Sequence, residues 1–135
     1  MIYTRTIPVE FNHCDPAGIV FYPRYFEMTN SVVENFFADV GAYPYARMMQ
    51  DGAGVPTARL ECDFKRPSRL GDRVDWALEI TRLGGSSVGF RLTARCNEEL
   101  RLTADLTLVW VTGSGRPTPW PEDVRTRFTA FMEAA

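Results

Sequence analysis

An α+β fold, with an antiparallel sheet packed on one long helix, is predicted by three features of this sequence. Apolar residues alternate at period two through most of the chain, the mark of half-buried strands. From Pro23 to about Val40 the period changes to three- and four-residue steps, the mark of an amphipathic helix. Between the first strand and that helix stands Asp15-Pro16-Ala17-Gly18, which has the composition of a turn.

Tyr3, Arg5, Ile7, Val9 and Phe11 lie on one side of the first strand. Pro8 assigns that strand to a sheet edge or a bulge, because proline cannot donate to a ladder. In the helix, Phe26, Thr29, Val33, Phe36, Phe37 and Val40 share one face, with Pro23 suited to the first helical position and Gly41 to the end. Gly41 to Pro56 reads as a loop with a short helical turn over Tyr45 to Gln50. Four strands follow. Ala58, Leu60, Cys62 and Phe64 alternate with polar neighbours, as do Val74, Trp76, Leu78 and Ile80. After Gly84-Gly85 come Val88, Phe90, Leu92, Ala94 and Cys96, and a turn at Asn97-Glu98-Glu99 leads into Leu100, Leu102, Ala104, Leu106, Leu108 and Trp110. The expectation is a four-strand antiparallel meander with one apolar face. Pro121, Glu122 and Asp123 open a closing helix that buries Val124, Phe128 and either Phe131 or Met132.

A chain of 135 residues with 45% hydrophobic content fits a single domain, residues 1–135, with one core and no disulfide staples. No apolar run is long enough to span a bilayer, and Met1 to Arg5 lacks the apolar centre of a signal peptide, so the expected location is cytoplasmic. The three cysteines, Cys14, Cys62 and Cys96, are widely spaced and form no Cys-x-x-Cys pair, which points to neither a disulfide framework nor a zinc site. A formal charge of −2 gives no broad attraction to nucleic acid or to an anionic membrane. An anionic ligand therefore needs a local cluster of basic residues.

Chemistry concentrates in Val9 to Tyr25. Asp15 sits on a turn between a strand and a helix that opens at Tyr22-Pro23. A carboxylate facing a helix N-terminus suits acyl transfer, because it can attack a carbonyl or activate water while free backbone N–H groups polarise that carbonyl. The plain alternative is that aspartate before proline simply begins a turn. His13, the only histidine, lies in a loop where a structural role is the common one. His13 and Cys14 do not make a nucleophile and base, because neighbours in an extended segment project to opposite faces. Lys65-Arg66-Pro67-Ser68-Arg69 reads equally as a solvated turn or as a ligand-holding cluster.

The order of strand, long apolar helix and strands resembles the hot-dog fold, in which an antiparallel sheet wraps a central helix. Together with Asp15-Pro16-Ala17-Gly18-Ile19-Val20-Phe21-Tyr22-Pro23 it resembles the 4-hydroxybenzoyl-CoA thioesterase family over essentially the full chain. The resemblance implies an acyl-CoA substrate, with Asp15 as the catalytic carboxylate and the Tyr22 backbone N–H polarising the thioester carbonyl; Pro23 has no N–H to offer. Asp15 acts either as a nucleophile forming a mixed anhydride or as a general base for water, and neither route needs a metal or cofactor. The acyl group is expected along the helix near Phe21, Tyr25 and Phe26. The resemblance also makes Lys65, Arg66, Arg69 and the outward Arg91 candidates for the phosphates of coenzyme A, a geometry that arginine matches well.

Tyr22, Phe26 and Asn30 are four residues apart and rise along one side of the helix, which places the Asn30 amide toward the far end of an acyl group. Enzymes of this family that act on 4-hydroxybenzoyl-CoA carry an acidic residue at that helix position. With Asn30 there instead, the expectation broadens to an aromatic or short-to-medium acyl group. Open strand edges imply a homodimer with joined sheets, paired further into a homotetramer, and sites between subunits. Two rival functions are a non-catalytic acyl-CoA binding module and a hot-dog dehydratase or hydratase. The latter resemble an acidic residue paired with a histidine a few positions later, which Val20 and its neighbours do not supply.

Overall fold

A computed structural model describes residues 1–134. Along the chain run β1 (Tyr3–Pro8), α1 (Arg24–Asp39), α2 (Tyr45–Gln50), β2 (Ala53–Gly54), β3 (Thr57–Phe64), β4 (Arg73–Leu83), β5 (Ser87–Cys96), β6 (Glu99–Val109), β7 (Val111–Thr112), β8 (Arg116–Pro117) and α3 (Glu122–Glu133). The main sheet is antiparallel, with strand order β1-β4-β5-β6-β3, and β2, β7 and β8 form a small second sheet. No helix among the described residues is long and apolar enough to cross a membrane.

The core is the concave face of the main sheet closed by α1. Tyr25, Met28, Val32, Val33, Phe36 and Phe37 form the buried stripe of that helix. It meets Trp76 and Leu78 of β4, Phe90 and Leu92 of β5, and Leu102 and Leu108 of β6 within one cluster. Phe36 sits at the centre, with ring centroids 5.3 Å from Phe90, 5.4 Å from Phe128 and 5.1 Å from Phe131. Each such aromatic or aliphatic side chain contributes about 1.5–3 kcal/mol by leaving water. In α3, Phe131 is the buried residue and Met132 the exposed one. Helix α1 closes just before Gly41, where a Cβ would lie 2.8 Å from the Phe37 carbonyl oxygen, so glycine fits the turn that follows the helix.

Three expectations change. The first strand stops at Pro8; Val9 then pairs through its backbone with Gly71 and Asp72, and Phe11 opens a single 3-10 turn with its ring exposed. Residues β4, β5 and β6 do form a meander, but β3 lies beyond β6 instead of beside β4. The Lys65 to Asp72 connection crosses the end of the sheet and is bonded there, so it cannot act as a hairpin turn. Consequently β3 is an edge, and Leu60 and Phe64 on its would-be core face remain exposed in the single chain.

A bulge explains the third change. Along β5 and β6 the register runs from Ser87 opposite Val109 to Ala94 opposite Leu102, then shifts so that Arg95 faces Leu100. Arg101 is the extra residue, and the bulge turns its side chain inward, next to the buried Leu102. Its Nη1 donates to the Pro67 carbonyl (3.1 Å), to Ser68 Oγ (3.2 Å) and to Asp72 Oδ2 (2.7 Å), while Nε lies 2.8 Å from Glu99 Oε1 without hydrogen-bond alignment. The Arg69 N–H and then the Arg101 guanidinium hold the Asp72 carboxyl below the usual carboxylate range.

Removing this guanidinium leaves Asp72 and the Pro67 carbonyl without their partner. Arg101→Met is expected to cost about 2–3 kcal/mol in urea unfolding, below the figure for a fully buried pair because Asp72 is partly exposed. Asp72 has a lowered folded pKa, so its contribution is present above the unfolded value near about 4 and is lost as pH falls through the folded value. Stability differences between wild type and Arg101→Met should therefore shrink in acid below about pH 4. A gap of constant size down to acid unfolding would contradict the pairing.

Candidate active site

Residues 13–21 fold back on themselves as a short hairpin. The Phe21 N–H donates to the His13 carbonyl (2.9 Å), Cys14 bridges Val20, and the Asp15 N–H donates to the Ile19 carbonyl (3.0 Å). Its turn is closed by the Gly18 N–H on the Asp15 carbonyl (2.9 Å), with Gly18 at φ +79°, a conformation that only glycine adopts without strain. Pro16 supplies the fixed φ of the first turn position. The Asp15 carboxylate is half-buried, and its Oδ1 accepts the Ala17 N–H at 2.9 Å. Oδ2 has no hydrogen-bond partner among the described residues, so one oxygen orients the group and the other is open.

The hairpin rests on the crossing segment that Arg101 holds. The Val20 N–H donates to the Ser68 carbonyl (2.9 Å), the Leu70 N–H donates to the Gly18 carbonyl (3.0 Å), and Ile19 bridges Arg69. Ser68 is fully buried and its N–H donates to the Tyr25 hydroxyl at 3.2 Å. His13 is structural in this chain: its Nδ1 accepts the Glu10 N–H at 2.9 Å across the 3-10 turn.

At the start of α1 the N–H groups are spent on a tight turn. Arg24 donates to the Phe21 carbonyl (2.8 Å), Tyr25 to Tyr22 (3.2 Å) and Phe26 to Pro23 (3.1 Å). Pro23 carries no N–H. The Tyr22 N–H has no acceptor among the described residues, which leaves it as the single open donor at the positive end of the helix. Its side chain is 60% exposed and leans edge-on against Phe64, with centroids 6.1 Å apart.

Phe64 divides two concavities. On one side, Tyr22, Val20, Tyr25 and Phe64 line a space of about 260 Å³ together with Lys65, Arg66 and Pro67. On the other, Phe26, whose ring centre is 6.3 Å from Phe64, opens a larger cavity of about 650 Å³ between α1 and the β3 edge. Asn30, Val33, Leu106, Tyr45, Met48 and Val55 are among the residues that line it. Asp15 lines a third concavity with Phe11, Cys14 and Leu70, separate from the one that Tyr22 lines.

The sequence candidates thus fall into groups. Tyr22, Lys65 and Arg66 come together; Phe26 and Asn30 line the large cavity; Phe21 is exposed, its ring against Tyr22. Tyr25 is a buried core residue whose ring borders the small pocket. Arg69 lies on the crossing segment, where its N–H donates to Asp72, and does not line the small pocket. Arg91 is on the outer face of β5, its Nε 2.9 Å from Asp105 on β6 and its charge already paired, so it lies apart from Lys65 and Arg66. Tyr45 and Met48 carry no signal in the sequence, since six residues of helix are too few to display a period, and Val55 lies in the loop before β3.

The thioesterase-like superfamily profile matches residues 9–128. The chain belongs to that superfamily. A 4-hydroxybenzoyl-CoA thioesterase of Pseudomonas sp. (strain CBS-3) is 33% identical over 55 residues, 41% of this chain and 39% of that protein. A 3-hydroxyacyl-[acyl-carrier-protein] dehydratase of Exiguobacterium sibiricum is 34% identical over 88 residues, 64% of this chain and 63% of that protein. Both matches therefore span less than two thirds of the relative. The solved structure of a gentisyl-coenzyme A thioesterase superposes with a TM-score of 0.85 at 25% identity, covering 91% of this chain and 99% of that one. The hot-dog architecture of the superfamily member described here is shared with that enzyme.

Apart from its chain neighbours, no described residue has an atom within 4 Å of a Cβ placed on Gly18, so substitution there is penalised by backbone conformation alone. Gly18→Ala is expected to lower stability by about 1 kcal/mol, and Gly18→Asn by less, because asparagine tolerates positive φ. Chemical denaturation of both variants checks the ordering; equal losses would remove the left-handed turn from the account.

Proposed function

We propose that this protein hydrolyses an acyl-CoA thioester to the free acid and coenzyme A. The observation that carries the reading is the unpartnered Tyr22 N–H, on a residue that lines the pocket bearing Lys65 and Arg66, one helical turn before Phe26 at an apolar cavity of acyl size. A thioester whose carbonyl meets Tyr22 directs its phosphates toward the two cations and its acyl group past Phe26. As the carbonyl becomes tetrahedral, the oxygen gains charge opposite the N–H and the helix N-terminus, an effect worth about 3–4 kcal/mol for one such donor. The Asp15 carboxylate either attacks the carbonyl, expelling the CoA thiolate to leave a mixed anhydride that water cleaves, or takes a proton from the attacking water.

The acyl group is aromatic or of short to medium length. The wall of Phe26, Val33, Met48 and Leu106 supports this, and so do the aromatic acyl groups in the names of the two thioesterase relatives. Asp15 and Tyr22 line different concavities of one chain, which supports a site completed by a second copy. The unpaired β3 edge, with Leu60, Phe64, Phe21 and Tyr22 exposed around it, supports a dimer there. A fully active particle of one-chain mass in light scattering would contradict this.

The dehydratase relative gives a second reading. Dehydration needs one group to remove the α-proton and another to protonate the departing hydroxyl. The only histidine has Nδ1 occupied by the Glu10 N–H, and Asp15 is the only carboxylate lining its concavity, which favours hydrolysis. A binding module would keep the cavity and the cations but have no use for an oriented carboxylate. Thiol release across an acyl-CoA panel separates these readings from hydrolysis.

Asp15→Asn is expected to keep the fold and much of the affinity while lowering turnover at least about a hundredfold. Near-normal turnover in a sample checked for deamidation would sink the assignment. With heavy-oxygen water, label entering the Asp15 side chain over many turnovers marks the nucleophilic route, and label in the product acid alone marks the general-base route.

A further inference from the structure

We propose that the Tyr45 phenol is a specificity-determining group that donates a hydrogen bond to an oxygen substituent on the acyl group, inside the cavity between α1 and β3. This deepens the acyl-CoA reading and rests on it. The five tyrosines of the chain supply the argument. Tyr3 donates to Asp39 Oδ2 and Tyr43 to Asp51 Oδ2, both at 2.5 Å, and the Tyr25 hydroxyl accepts the Ser68 N–H. Tyr22 is largely in solvent. Tyr45 alone is half-buried, lines a cavity and has a hydroxyl with no hydrogen-bond partner among the described residues.

The residue is held for such a task. Its ring is tilted against the buried Phe37, with centroids 6.1 Å apart, and it opens α2, which the buried Met48 anchors to the core. Fixed this way, the hydroxyl costs little further ordering when it meets a ligand. Burial first, and the Glu34 charge second, push its pKa up to about 12, so it remains an O–H donor at neutral pH. Of the other polar side chains lining the cavity, Thr57 is exposed at the β3 edge, and two are already engaged. The Thr29 hydroxyl donates to the Phe26 carbonyl at 3.0 Å, and the Asn30 amide is directed to Glu34 at 3.5 Å. Apolar walls distinguish acyl groups weakly by size, whereas a donor that the bound acyl group cuts off from water penalises an acyl group that lacks oxygen.

The test compares benzoyl-CoA with its 2-, 3- and 4-hydroxy derivatives in wild type and Tyr45→Phe, a variant that keeps the ring on Phe37. For at least one positional isomer, the hydroxybenzoyl-to-benzoyl ratio of kcat/KM should fall about tenfold in the variant. Calorimetry with the matching thioether analogues, which cannot be hydrolysed, should show the same ratio change in Kd. A ratio unchanged within about twofold for every isomer, in both measurements, would overturn the role of Tyr45. Thioether binding with the expected ratio change but no hydrolysis by wild type would support Tyr45 and overturn hydrolysis. Failure of wild type to bind any of the analogues would overturn both.

Discussion

The Arg101 guanidinium, turned inward by a one-residue bulge, is the constraint on which the site depends. It gathers the Pro67 carbonyl, the Ser68 hydroxyl and the Asp72 carboxylate onto the end of β6. That fixes the crossing segment, and the crossing segment in turn supplies the backbone partners of Val20 and Gly18 in the Asp15 hairpin. The same segment carries Lys65 and Arg66 and, through the Ser68 N–H, meets the first turn of α1 at Tyr25. Three parts of the site are therefore referred to one buried cation, which a hydrophobic replacement could not hold in register even where it preserved packing.

Helix α1 provides both ends of the site in different ways. Its buried stripe fixes the axis of the helix in the sheet, and its first turn consumes three N–H groups on nearby carbonyls, leaving Tyr22 open. A donor that is already oriented needs no rearrangement as charge develops on a carbonyl oxygen. Phe26 and Asn30, on the side of the helix away from the core, face the β3 edge across the cavity. Because β3 ends the sheet, this cavity lies where a second copy can close it, and the exposed Leu60 and Phe64 are consistent with that role.

Much of this was legible in the sequence, for physical reasons. Helix α1 declared itself by its period, the Asp15 turn by proline and glycine at fixed offsets, and the edge position of the first strand by Pro8. What stayed hidden were features that alternation does not encode. Period two tells which residues share a face but not which strands are neighbours, so β3 was read into the meander. One inserted residue reverses a face, and strict alternation puts Leu100 and Leu102 on one face where the bulge separates them and turns Arg101 inward. Arg91 stands on the outer face of β5, paired with Asp105, and lines a different concavity from Lys65 and Arg66. Tyr25 follows the core stripe of α1 and Tyr45 stands in a helix of six residues, so neither role could be read from spacing.

The central claim is that a thioester carbonyl docks on the Tyr22 N–H with its phosphates toward Lys65 and Arg66 and its acyl group beside Phe26. A crystal structure of Asp15→Asn soaked with an aromatic acyl-CoA tests it most directly. The account predicts the carbonyl oxygen within about 3 Å of the Tyr22 nitrogen and the acyl ring in the α1–β3 cavity. An acyl-CoA bound with its carbonyl away from Tyr22, or with its ring outside that cavity, would contradict it.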